Sequence, residues 1–162
     1  GSGVATTKYT LDGVEKTYTG PFNIGEGSHT VQYWSIDNVG NIEGKNTATY
    51  VVDTTKPTVE ITSPEPGIYF LGNKLLSFGS KAICIGKVPI AADADDGTGS
   101  GIARVLFDVN GDTGYDATAP YEYVFRGMNF GSLAISATAI DNKGLASTPD
   151  EITVTCFSLG LL

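Results

Sequence analysis

The chain has 162 residues, enough for one large domain or two small ones, and its net charge of −8 gives a pI near 4.4. A nucleic-acid-binding surface is normally basic, so the acidic balance argues against that class of partner. No apolar run approaches the roughly 18 residues of a membrane span, and no signal-peptide pattern opens the sequence.

Short alternations of apolar and polar residues, bounded by Gly, Asp, Asn and Pro, recur along the whole chain. Apolar residues at helical spacing are not sustained over any window of about 12 residues. The pattern therefore predicts an all-β protein.

The first predicted module covers residues 1–53 and consists of short strands separated by turns. The stretch YWSIDNVGN at 33–41 contains its most distinctive turn, in which Asp and Asn bond their own backbone and Gly takes a positive φ. One more alternating strand follows, from Asn46 to Val52. Residues 54–57 then form a short linker of the type that joins domains.

The second predicted module covers residues 58–162 and repeats the first. Its turn AIDNKG at 139–144 aligns with the turn of the first module, and the flanking segments align in the same order, with an offset that drifts only from 98 to 104. This is strong evidence for two copies of one unit. The second copy is predicted to have strands near 58–62, 86–94, 102–109, 121–126, 132–140 and 150–158, which correspond to strands A, B, C, E, F and G of an immunoglobulin-type sandwich.

The motifs of both copies resemble those of the immunoglobulin-like modules in large bacterial and archaeal cell-surface and secreted proteins. In the second copy the resemblance rests on GSGI with the VNG that follows, on APY at 119–121 and on AIDNKG. In the first copy it rests on SGV, YTLDG, YTGPF, EGSHTVQYWSIDNVGNIE and VVDTTKP. The resemblance implies two tandem sandwiches outside the cell, in modules that serve mostly as spacers, stalks and adhesive units.

The first module is predicted to lack strands A and B, because almost nothing precedes its SGV. Its inner face, on which Val31, Tyr33 and Leu11 are expected, would then be uncovered. One explanation is an accident of where this chain begins. The other is donation of a strand by another subunit, which would make the chain part of a filament or surface layer. The apolar segment Ile68 to Phe78 is a candidate donor, although a local hairpin is the favoured interpretation.

A calcium site is the one cofactor that the sequence suggests. In an immunoglobulin-like sandwich the B–C and F–G loops lie at one end, where strand A enters. Asp95, Asp96 and Asp141 should therefore lie near Asp53 of the linker region. A junction Ca²⁺ would neutralise them; the alternative is a set of solvated turn residues.

Three further residues are candidates for binding or cross-linking. Trp34 is expected on the outer face of its strand, where it would stack on a glycan or be covered by the linker, a loop or a second subunit. Cys84 and Cys156 are expected to face inward, and either form a disulfide or remain two buried thiols.

Catalysis has little support in the sequence. The single histidine, His29, lies at a strand start, and no nucleophile elbow, metalloprotease motif or phosphate loop is present. The sequence thus predicts a non-catalytic, extracellular structural or adhesive module of a prokaryotic surface protein, which associates with itself or with neighbouring surface domains. The alternative is a carbohydrate-binding or spacer module of a secreted enzyme.

Overall fold

The computed structural model describes residues 1–160, and this part of the chain is all-β, as predicted. It divides into two compact units, unit 1 (Gly1–Thr54) and unit 2 (Thr55–Leu162). Among the described residues no helix is long and apolar enough to cross a membrane.

Unit 1 is one four-stranded antiparallel sheet with the strand order β2-β1-β3-β4. The hairpin between β1 and β2 turns at Asp12 and Gly13, which both have positive φ, 51° and 85°. Such turns match the right-handed twist of the strands that they join. The strands are β1 (Val4–Leu11), β2 (Val14–Thr17), β3 (Gly27–Asp37) and β4 (Asn46–Val52).

Unit 2 contains a seven-stranded sheet, in the order β11-β10-β13-β14-β8-β6-β7, and a three-stranded sheet, in the order β12-β9-β5. Its strands are β5 (Thr58–Ser63), β6 (Gly67–Phe70), β7 (Asn73–Leu76), β8 (Ala82–Ile85), β9 (Val88–Asp95), β10 (Ile102–Val109), β11 (Asp112–Asp116), β12 (Tyr121–Phe125), β13 (Met128–Asp141) and β14 (Asp150–Leu159). The segment between Ile68 and Phe78 forms the local hairpin of β6 and β7. The short strand β8 runs parallel to both β6 and β14, a pairing that the sequence pattern did not predict.

The core of unit 2 is built from side chains of both sheets. Alternate residues of β9, β10 and β13 are almost completely buried, because the period of two in a strand sends every second side chain inward. The largest of them are Phe107, Ile90, Leu133 and Ile135.

The two units share the same strand pairing at the level of individual residues. Val4 pairs with Asp37 and Ile102 pairs with Asp141, and a bulge follows each pair at the same position. Strands β1, β2, β3 and β4 therefore correspond to β10, β11, β13 and β14. Tyr18–Phe22, which aligns with the Thr118–Tyr121 segment that leads into β12, contains no strand. Within residues 1–54 no strand corresponds to the three-stranded sheet of unit 2.

We predict that Phe107→Ala destabilises the protein by about 3–5 kcal/mol, because it leaves a cavity in the core. Phe107 is 2% exposed and its ring stacks on Tyr123 with centroids 5.9 Å apart. Tyr115→Ala, on an exposed side chain of the neighbouring strand, should change the free energy of unfolding by no more than about 0.5 kcal/mol. Urea unfolding followed by fluorescence measures both, and equal effects would contradict the assignment of the core.

Candidate functional site

The first candidate site is the face of unit 1 that carries Tyr9, Leu11, Val31, Tyr33 and Tyr50, here named the open face. The register places Tyr9 opposite Tyr33 and Leu11 opposite Val31, so these side chains project from the same side of the sheet. Val31, Tyr33 and Leu11, which the alternation placed on one face, share this side of the sheet.

Aromatic side chains surround a shallow cavity of about 330 Å³ on the open face. The loop after β2 contributes to it, because the ring of Phe22 stacks on Tyr9 with centroids 4.4 Å apart and planes 11° apart. Tyr33 is still 45% exposed, whereas Ala137, its counterpart in unit 2, is 0% exposed. The same sheet is thus covered in unit 2 and accessible in unit 1. The lining residues are Thr7, Tyr9, Tyr18, Phe22, Ile24, Val31, Tyr33 and Tyr50.

Trp34 projects to the opposite side of β3 but is only 5% exposed. The ammonium nitrogen of Lys45 lies 4.3 Å from its ring centroid, a cation–π contact that comes from the segment before β4. Lys8 is its cross-strand neighbour. Trp34 therefore does not present an exposed ring on which a sugar would stack, and the expectation of a glycan platform at this residue finds no accessible surface.

His29 and Asp12 form an ion pair beside the open face. The His29 Nδ1 lies 2.7 Å from Asp12 Oδ2, and Asp12 Oδ1 accepts a hydrogen bond from the backbone N–H of Thr30. The hydrogen bond to Asp12 raises the pKa of His29, and the same bond lowers the pKa of Asp12. This pair ties the hairpin turn to β3, and His29 Nε2 also lies 3.0 Å from the backbone carbonyl oxygen of Gly25.

The second candidate site is a pair of buried carboxylates in unit 2. Asp96 is 5% exposed and Asp141 is 2% exposed, and a carboxylate oxygen of one lies within 4.8 Å of a carboxylate oxygen of the other. Asp96 Oδ2 accepts a hydrogen bond from the N–H of Gly101, and Asp141 Oδ1 accepts from the N–H groups of Lys143 and Leu145. The other two oxygens, Asp96 Oδ1 and Asp141 Oδ2, are buried without a hydrogen-bond partner.

Comparison with unit 1 explains the unpartnered oxygen of Asp141. Its counterpart Asp37 uses Oδ1 for the same backbone N–H bonds, but its Oδ2 accepts a hydrogen bond of 2.9 Å from the side-chain amide of Asn41. That bond is the largest of several that lower the pKa of Asp37 to about 2. In unit 2 the position of Asn41 is taken by Leu145, which has no donor in its side chain.

The other two acids predicted for the calcium site, Asp95 and Asp53, are less buried than Asp96 and Asp141. Asp95 is exposed, and its Oδ1 accepts a hydrogen bond from the N–H of Gly97, which stabilises the loop after β9. Asp53 is half-buried and belongs to unit 1. A junction site that includes Asp53 stays a prediction.

Cys84 and Cys156 lie directly opposite one another in the parallel pair of β8 and β14. Both are 0% exposed and are present as free thiols. Burial, with a further contribution from the neighbouring Cys156, raises the pKa of Cys84 to about 12. Opposed residues of paired strands have Cα atoms within the range that a disulfide bridges, so the disulfide also stays a prediction.

We predict that His29 titrates above the ordinary pKa of about 6.5, and that Asp12→Asn lowers its midpoint, because the carboxylate stabilises the imidazolium. The raised pKa means that the pair stabilises the fold below the unfolded pKa of His29 and that this stabilisation is lost as the pH rises through the folded pKa. NMR titration of the single histidine measures the midpoint directly. An unchanged midpoint in Asp12→Asn would show that another group controls His29.

A family model described as a bacterial Ig domain matches residues 57–132. Fibronectin(III)-like modules of CbhA from Clostridium thermocellum are similar in structure, with a TM-score of 0.51 and 22% identity, and the match covers 99% of this chain and 82% of that chain. A 1.5-MDa bacterial ice-binding adhesin and a Ca²⁺-stabilized adhesin with which an Antarctic bacterium binds ice are 20% and 16% identical, each with a TM-score of 0.32. Those matches cover 98% of this chain but 55% and 41% of the adhesin chains.

A search of curated protein sequences finds no match to the chain. The fold and the family match nevertheless agree with the resemblance carried by the sequence motifs. The chain has the all-β architecture of immunoglobulin-like and fibronectin(III)-like modules, and residues 57–132 are similar to a bacterial Ig domain.

Proposed function

We propose that the chain is a non-catalytic structural module of a bacterial surface protein, and that the open face of unit 1 is completed by β-strands of another copy or of a neighbouring surface domain. The family match supports the class of module. The observation that carries the proposal is the accessibility of the open face, where Tyr33 is 45% and Tyr50 is 49% exposed.

The strand edges of unit 1 suit this mode of association. Strand β4 pairs only with β3 within unit 1, and its Tyr50 and Val51 are 49% and 45% exposed. An unpaired edge offers a row of backbone N–H and C=O groups to an incoming strand. Backbone pairing would supply affinity, and the aromatic cavity would select the side chains of the partner.

The proposed role also requires no reacting groups. Among the described residues, the side chain of the single histidine is hydrogen-bonded to Asp12 at the turn between β1 and β2. A carbohydrate platform at Trp34 is not favoured, because its ring is only 5% exposed.

Assembly is tested by light scattering and negative-stain microscopy of the full chain. We expect particles well above the 16.9 kDa of one chain. Replacing Tyr33 and Tyr50 by Glu should reduce the particle mass, because each change puts a charge on the apolar contact. Tyr115→Glu is the matched control, since Tyr115 is an exposed tyrosine of unit 2, and it should leave the mass unchanged.

A wild-type particle mass that stays at the 16.9 kDa of one chain at high concentration would contradict strand complementation. Assemblies that persist unchanged in the Tyr33/Tyr50 double variant would show that the open face is not the contact.

We also propose that Asp96 and Asp141 bind Ca²⁺, and that the ion stabilises unit 2. Two buried carboxylates this close repel one another, and each holds one oxygen without a hydrogen-bond donor. Carboxylate oxygens are the ligands that Ca²⁺ prefers. The backbone bonds to the other oxygens hold both groups in place, which lowers the entropic cost of binding the ion.

Calcium should raise the melting temperature of the wild-type protein. With the Kd of about 0.1 mM common for extracellular modules, 10 mM Ca²⁺ would stabilise by about 2.7 kcal/mol, a shift of roughly 5–10 °C. Asp96→Asn and Asp141→Asn should abolish the shift. Asp37→Asn removes the equivalent carboxylate of unit 1, whose oxygens all have donors, and should keep it.

Calorimetry of the wild type and the three variants, each with Ca²⁺ and with EDTA, measures the calcium-dependent shift in melting temperature. The proposal fails if the wild type shows no calcium-dependent shift, or if the shift survives in both the Asp96 and the Asp141 variant.

A further inference from the structure

Unit 2 carries exposed apolar side chains in one continuous row across four neighbouring strands. Phe130 of β13 pairs with Phe157 of β14, Phe157 pairs with Ile85 of β8, and Ile85 pairs with Phe70 of β6. Their exposed fractions are 65%, 46%, 42% and 47% in that order. Residues directly opposite in paired strands share a face, so the four side chains are neighbours.

The row faces outward, because the adjacent residues of the same strands face the core. Tyr69, Cys84 and Cys156 form the alternate row, and they are 4%, 0% and 0% exposed. One step along the outer face, Met128 pairs with Leu159, and they are 71% and 64% exposed. Leu76 of β7, 56% exposed, lies opposite Ile68 on this same side. The apolar stripe is defined here as Phe70, Leu76, Ile85, Met128, Phe130, Phe157 and Leu159.

The stripe is larger than the apolar surface that a monomer normally exposes. At about 200 Å² for a large apolar side chain, exposed fractions of 42 to 71% over seven residues amount to roughly 800 Å². The largest apolar patch of a typical monomer is about 300–600 Å². A stable protein–protein interface of standard size buries about 800 Å² on each partner. The stripe by itself thus matches one side of a dimer interface.

The chemistry of the stripe favours a second copy of the same chain over a sugar. A sugar-binding face combines aromatic rings with amides or carboxylates that bond the hydroxyl groups, and the seven residues of the stripe include none of these groups. An apolar surface is complementary to itself, so two copies can bury the same side chains against one another. A groove of about 480 Å³ offers a place in which a side chain of the second copy is buried; it is lined by Phe70, Leu71, Ile85, Gly86, Phe157 and Leu159 together with the polar Lys87 and Ser158.

We propose that the apolar stripe of unit 2 is a homodimer interface, in which the outer faces of two seven-stranded sheets pack on one another around a twofold axis. A twofold contact uses the same patch on both copies. Face-to-face packing of two sheets is the arrangement that already holds sandwich cores together. This contact is independent of the open face of unit 1, so either one stands without the other.

The test is sedimentation equilibrium of the full chain and its variants. The wild type should contain a dimer at concentrations of tens of micromolar, and Phe157→Lys should raise the dimer dissociation constant at least tenfold. The reason is that a twofold axis brings two of the new ammonium groups into one apolar contact. Tyr115→Lys, on an exposed tyrosine outside the stripe, is the matched control and should leave the constant unchanged.

A second variant protects the test against loss of folding. Met128→Lys changes the most exposed residue of the stripe, at the beginning of β13, and should weaken the dimer to a similar degree. Melting curves establish that each variant is folded. The Tyr33/Tyr50 double variant separates the two contacts, because it should remove assembly through unit 1 and leave the dimer.

A wild type that is monomeric at several hundred micromolar would overturn the proposal. It would equally be overturned if Phe157→Lys and Met128→Lys left the dissociation constant unchanged. Binding of the monomeric chain to an insoluble polysaccharide such as cellulose, lost in Phe157→Lys, would assign the stripe to a sugar surface instead.

Discussion

The structure depends on one local interaction that occurs twice, the Asp-Asn turn that ties the end of one strand to the beginning of another. In each unit the aspartate, Asp37 or Asp141, accepts hydrogen bonds from backbone N–H groups of its own turn. The amide of the following asparagine, Asn38 or Asn142, donates to the carbonyl of Ser2 or Ser100, at 2.6 and 2.8 Å. The turn thereby sets the register of the central strand pair, and a slip by one residue would turn every apolar side chain to the wrong face.

Because this register is the same in both units, their differences come from what lies on each sheet. In unit 2 a second sheet covers Phe107, Ile135 and Ala137. In unit 1 the corresponding Tyr9, Val31 and Tyr33 are large and mainly aromatic, and a loop reaches over part of them. Tyrosine suits this position, because its ring packs against apolar groups and its hydroxyl reaches water. The same backbone thus forms a closed core in one unit and an accessible aromatic surface in the other.

The features of the fold that depend on the periodicity of apolar residues and on turn chemistry could be predicted from the sequence. The all-β immunoglobulin-like fold is confirmed, and β5, β9, β10, β12 and β14 lie close to the predicted segments. The sequence did not predict the parallel pairing of β8, because pairing between distant segments leaves no local pattern. The alternation of apolar and polar residues could not predict the low exposure of Trp34, because Lys45 from another segment lies on its ring. The difference between Asp37 and Asp141 was readable in principle from the exchange of Asn41 for Leu145.

The two exposed apolar surfaces have different consequences for assembly, because they differ in symmetry. A strand given by one copy to unit 1 of the next copy is a head-to-tail contact, which continues without limit unless its rotation closes a ring. Packing of one apolar stripe on another is a twofold contact, which stops at two copies. If both contacts form, the contact through unit 1 links modules into a filament, and the contact through the apolar stripe joins two such filaments side by side. Lateral pairing doubles the contacts that must break before a filament separates, so a dimer interface on unit 2 would strengthen a filament that grows through unit 1.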